Sequence, residues 1–137
     1  MKASWFYKIA AILLLLFSIG HTLGFRQTDP QWKVDALIAG MQTIHFNAQG
    51  FERTYWDFFV GFGLFVSVLL LFGAILAWQL GGMAPETLAM IPAVKWSLAL
   101  CFLGITILSW KYFFLVPIVF SSVITLCLVL AAWLPNK

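Results

Sequence analysis

The chain has 137 residues, 63% of them hydrophobic, 18% aromatic and only 9% charged, with a mean hydropathy of +0.98. A soluble domain carries roughly 25% charged residues; here too few polar groups exist to cover a water-facing surface, so lipid is the solvent for most of the chain. The formal charge of +3 comes from eight basic and five acidic residues that are scattered rather than clustered, which leaves no basic stripe and excludes nucleic acid as an implied partner.

The length is about that of one domain, and residues 1–137 read as a single four-span membrane domain. A bilayer-crossing helix needs about 20 mostly apolar residues. The first such stretch, about residues 4–25, is built on IAAILLLLFSIG. Lys2, Lys8 and the apolar run, with Ser18 and Gly20 as small residues, also fit a signal peptide; the expectation is a retained span. In the loop 26–54 that follows, Asp29-Pro30 is a helix start, a cap residue and then proline at the first helical position. Trp32, Leu37, Met41 and Ile44 recur at roughly helical spacing, with Lys33, Asp35 and Gln42 between them. This predicts a short amphipathic helix lying at the interface or folded over the bundle end.

Gly50 is expected to break the chain before the second span, about residues 55–80. In that span Gly63, Ser67, Ala74 and Ala77 form a small-residue ridge suited to packing another helix. The GGMAPE loop leads to the third span, about 87–110, where Lys95 is expected to snorkel to the interface. Only Lys111 and its neighbours precede the fourth span, about 112–134, which predicts a tight antiparallel hairpin. Pro117 is expected to kink that last helix. The expected fold is all-α: an integral membrane four-helix antiparallel bundle with a short amphipathic helix in the first loop.

Four spans put both termini and the GGMAPE loop on one side, with loop 26–54 and the Lys111 turn on the other. Lys2, Lys8, Lys95 and Lys137 then face Arg26, Lys33, Arg53 and Lys111, so the positive-inside rule is tied. The first helix often decides, and Lys2 and Lys8 favour a cytoplasmic N-terminus.

Polarity gathers in TIHFNAQGFERTYWDFF, residues 43–59. His21 lies about four residues before the end of the first span, and an ionisable side chain at membrane depth usually faces the bundle interior or a watery cavity. Asp57 begins the second span at the same end, with Gly61 at i+4 leaving room beside it. Tyr112 and Lys111 arrive there from the last hairpin. The functional reading is a polar pocket whose ligand-binding candidates are His21, His45, Asn47, Glu52, Arg53, Tyr55, Asp57 and Tyr112. Asp57 is its charged anchor, held by Arg53 at i−4, by His21 or by water.

Each candidate also has a plainer role. These are a hydrogen-bonded histidine, a solvated flank at Glu52 and Arg53, an aromatic belt at Tyr55 and Trp56, and a helix cap at Asp57. His21, His45, Glu52 and Asp57 are suitable ligand types for a metal, but no spacing such as H-x-x-x-H supports one. Two cysteines cannot make a disulfide framework. Across a hairpin turning at Lys111, Cys101 matches residue 121 in depth. Cys127 is then roughly 9 Å further along the axis, which disfavours a bond between them.

The run GHTLGF closing the first span, with ERTYWDFFVGFGLF opening the second, resembles a family of small bacterial four-span membrane proteins. The likeness covers most of the chain and brings no chemistry with it; it implies a multi-pass protein of the bacterial inner membrane. Size and span count are more loosely similar to DoxX-like proteins and to the membrane-associated eicosanoid and glutathione metabolism proteins. Of the latter's E-R-x-x-R-A-x-x-N-x-x-E type motif, Glu52 and Arg53 match the first pair. Asp57 and Phe58 depart from it and the Asn is absent, so the glutathione site is not implied.

Two functions follow as expectations. One is binding, or binding and transforming, a lipophilic small molecule, with no cofactor named. The other is a non-catalytic accessory or assembly subunit that docks a partner membrane protein; either is compatible with a homo-oligomer. A pocket requires His21 and Asp57 facing a cavity, whereas a docking surface requires Trp32, Tyr55 and Trp56 exposed on a flat patch.

Overall fold

Four apolar helices of bilayer length dominate the computed structural model, which describes residues 3–134. The expectations resting on Lys2 and Lys137 lie outside the described residues. The elements run α1 (Ala3–Gly24), a single 3-10 turn (Pro30–Trp32), α2 (Asp35–Thr43), β1 (His45–Ala48), β2 (Phe51–Thr54), α3 (Tyr55–Gly82), α4 (Pro85–Met90), α5 (Pro92–Tyr112) and α6 (Leu115–Trp133). The chain is an all-α membrane helix bundle, and α1, α3, α5 and α6 are its candidate spans, with 22, 28, 21 and 19 residues.

Contacts gather into two compact units, one made of the chain up to Phe17 with Leu70 onward, the other of Ser18–Leu69. In the first unit all four long helices meet. Tyr7, Ala10, Ala11 and Leu14 of α1 share a buried cluster with Leu70, Ala74, Ala77 and Leu80 of α3. Leu98, Ala99 and Phe102 of α5 and Ile124, Cys127, Leu128 and Ala131 of α6 complete it. Small residues let the backbones approach where lipid gives helices no hydrophobic reason to associate. The buried Ala74 and Ala77 are the lower half of the ridge read from the sequence. Cys101 is exposed and Cys127 buried, and both are free.

Two expectations about the spans are corrected. The third span starts at Pro92 rather than near Thr87, because a residue before proline is driven out of the helical region. Ile91 accordingly sits at φ −120°, ψ 48°, and Pro85–Met90 becomes a separate short helix. Lys95, one turn into α5, buries its stem, with 6% of the residue exposed, while its ammonium nitrogen is not among the buried unpartnered atoms, which agrees with the expected snorkelling. Pro117 is the third residue of α6, within the first turn, where no intrahelical donor is missed; it is a helix-start proline and not a kink. The expected tight hairpin is present, with α5 and α6 joined by the extended pair Phe113 and Phe114.

In the second unit Asp29 caps a helical start as expected, its Oδ1 accepting from Gln31 N at 2.8 Å. That start lasts one 3-10 turn, ended by Lys33 in the left-handed region at φ 53°, and α2 begins only at Asp35. The larger departure is a β-hairpin between α2 and α3, where the sequence reading had only a chain break. Gln49 and Gly50 both have positive φ, 54° and 94°, the geometry of the two-residue turns that suit hairpin twist. Asn47 Oδ1 accepts from Gly50 N at 2.8 Å to close the turn.

Candidate functional site

Strand alternation sorts the crowded polar stretch onto two faces. The register pairs His45 with Thr54, Phe46 with Arg53, Asn47 with Glu52 and Ala48 with Phe51. Opposed residues share a face and successive ones alternate. His45, Asn47, Glu52 and Thr54 therefore form one face; Phe46, Ala48, Phe51 and Arg53 form the other. Asn47 is engaged in the turn, and His45 Nδ1 donates to the Thr43 carbonyl at 2.9 Å.

Asp57 is engaged at the start of α3. Its Oδ2 accepts from Thr54 N at 2.8 Å, and Thr54 Oγ1 accepts from Asp57 N at 3.2 Å. This reciprocal pair is a capping box with aspartate in place of glutamate. Arg53 lies on β2 and not on the same helix, so it makes no direct pair along α3; it acts on the Asp57 carboxylate through its charge alone, behind the Thr54 hydrogen bonds. Its guanidinium donates to the Glu52 carbonyl at 2.7 Å and stands 5.3 Å from the centre of the Phe51 ring. Thr54→Ala should lower stability by about 1 kcal/mol, the usual loss for an N-cap hydroxyl, and Thr54→Ser should restore it. Equal melting temperatures for all three proteins would show that the box contributes nothing.

His21 belongs to a separate network inside the second unit. Its Nδ1 shares a hydrogen bond with Ser67 Oγ at 3.1 Å, and its ring stacks on Phe25 with centroids 5.2 Å apart. Thr22 Oγ1 lies 2.8 Å from Ser67 Oγ and 2.7 Å from the Ser18 carbonyl, while Ser18 Oγ donates to the Ser67 carbonyl at 2.9 Å. Ser67 is thus the node that ties α1 to α3 through polar contacts at membrane depth, as Ser and Thr commonly do. The sequence reading had assigned Ser67 to packing alone. Tyr112 belongs to the other compact unit, where it is exposed with the Lys111 ammonium 5.1 Å from its ring centre. No group of three His, Cys, Asp or Glu side chains comes together among the described residues.

What lies beside Arg53 was not anticipated. Ala48, Gln49, Phe51, Arg53 and Phe58 line a shallow depression, holding one cation and no carboxylate. From it an aromatic stripe runs down α3. Phe46 meets Tyr55 at 5.0 Å and stacks on Phe58 at 5.8 Å; Phe58 leads to Phe62 at 6.4 Å and Phe62 to Phe65 at 6.3 Å. The i, i+3, i+7, i+10 spacing of Tyr55, Phe58, Phe62 and Phe65 was visible in the sequence. Its junction with Arg53 required the hairpin. Compared with known proteins, the chain matches no family model, no curated protein and no solved structure.

Proposed function

We propose that this chain binds a lipophilic small molecule on the second unit, at the depression where the hairpin meets α3. The observation that carries this reading is the joining of a polar rim, Arg53 and Gln49, to the apolar rings of Phe51 and Phe58. Ligand sites combine an apolar lining with a few placed polar groups in this way. The lining includes neither His21 nor Asp57, so the expected pocket around those two is replaced by one in which Arg53 takes the anchoring role, the Asp57 carboxylate being occupied by the cap. Tyr55 adjoins through Phe46. His21, His45 and Asn47 are engaged in hydrogen bonds of the surrounding architecture, Glu52 lies on the opposite face of the hairpin, and Tyr112 is not in the lining. The protein acts from the bacterial cytoplasmic membrane with its N-terminus inside, a reading supported by Lys8 and Lys2 ahead of the first span's apolar run.

A second reading, an accessory subunit docking a partner membrane protein, is supported by Trp32 and Tyr55, which are 59% and 66% exposed, but Trp56, the third residue that patch requires, is half-buried against Phe59. Native mass spectrometry of the full chain, released from its own membrane in mild detergent, separates the two. Ligand binding predicts a retained small molecule that Phe58→Ala depletes, while docking predicts a bare chain or a protein adduct. In the same strain, a cysteine replacing Gln49 should react with an impermeant maleimide from outside intact cells. Labelling only after lysis would reverse the orientation.

A further inference from the structure

We infer that the depression and the stripe below it form a site for an anionic phospholipid, with its phosphate at Arg53 and one acyl chain along Phe58, Phe62 and Phe65. The inference rests on the reading above that a lipophilic molecule binds here, and names its class.

Height sets the first constraint. β2 ends at Thr54 and α3 begins at Tyr55 with no linker, so Arg53 is held where the span enters the bilayer, at the headgroup level. Charge sets the second. Alternation sends Glu52 to the opposite face of the hairpin, and the lining keeps Arg53 as its single charge. A guanidinium carries five N–H donors in a fixed fork suited to phosphate. Arg53 donates one hydrogen bond to the Glu52 carbonyl and lies 5.3 Å from the centre of the Phe51 ring, which leaves its other nitrogens available for a phosphate. Length sets the third. From Tyr55 to Phe65 the stripe covers about 15 Å at about 1.5 Å per residue, half of a hydrocarbon core about 30 Å thick. The 28 residues of α3 outreach that core, so the stripe starts in the headgroup region at Tyr55 and its lower rings, Phe58 to Phe65, lie alongside the upper part of one acyl chain. The rings of Tyr55, Phe58, Phe62 and Phe65 are all exposed along it.

The test offers the detergent-purified full chain equal amounts of dioleoylphosphatidylglycerol and dioleoylphosphatidylcholine, with oleate as a competitor, and reads retained lipid by native mass spectrometry. Phosphatidylglycerol should be retained about fivefold over phosphatidylcholine, the scale of one basic side chain at an anionic lipid surface, and oleate should not displace it. Arg53→Gln should abolish that preference and Arg53→Lys keep part of it. Arg26→Gln, which removes a cation outside the lining, should keep all of it. Phe62→Ala should reduce retention of both phospholipids alike. Equal retention of the two phospholipids by the wild type, displacement by oleate, or a preference that survives Arg53→Gln would each overturn the inference while leaving a lipophilic site in place. Retention of no lipid at all, together with a bare chain from the native membrane, would overturn the site itself.

Discussion

Tyr7→Ala should destabilise the protein by about 3–5 kcal/mol, the cost of truncating a large aromatic ring in a packed core, while Tyr7→Phe should stabilise it. Tyr7 is 0% exposed and is the largest side chain in the core shared by α1, α3, α5 and α6. Packing, not water expulsion, holds helices together in lipid, so the cavity left by alanine is felt in full. The hydroxyl is a different matter. It is buried with no hydrogen-bond partner among the described residues, and an unsatisfied buried polar group costs about 1–3 kcal/mol. Removing only that oxygen therefore relieves a penalty without opening space. Thermal melting of the two variants in one detergent checks both signs. A Tyr7→Phe protein that melts below wild type would mean the hydroxyl is engaged, and the account of this core would be wrong.

The second large effect concerns two neighbouring glycines of α3 that should respond in opposite directions. A Cβ at Gly63 would fall on the Phe25 ring, well inside contact distance, whereas a Cβ at Gly61 meets nothing within 4 Å. Phe25 cannot move freely, since it stacks on His21 and meets Phe59 at 5.8 Å. Gly63→Ala should therefore cost about 1–3 kcal/mol through overpacking and loosen His21 from Ser67. Gly61→Ala should be neutral or gain up to about 1 kcal/mol from helix propensity. Melting curves of the pair, with the His21 ring resonances followed by NMR, read both parts. Similar behaviour of the two variants would remove Phe25 from the role assigned to it.

Hydropathy and length alone determined that this is a membrane protein with four spanning helices. A run of about 20 apolar residues has one stable arrangement in lipid, with every backbone group bonded inside its own helix. The ridge at Ala74 and Ala77 and the cap at Asp29 were legible for the same reason: each is local, set by residues within a turn or two. Tertiary structure decided the rest. Asp57 and Arg53 are four residues apart, a spacing that pairs side chains only if both lie on one helix. The hairpin puts Arg53 on a strand, and Thr54 takes the carboxylate instead. Nothing in the alternation of HFNAQGFERT outweighs the helix-like spacing around it until Gln49 and Gly50 both turn left-handed. That single turn carries Arg53 and Phe51 to one face and Glu52 to the other. Ser67 likewise reads as a small packing residue until α1 brings His21, Thr22 and Ser18 to it from 45 or more positions away. Long-range pairing leaves no periodic trace in a single chain, because it depends on which faces meet and not on spacing within either one.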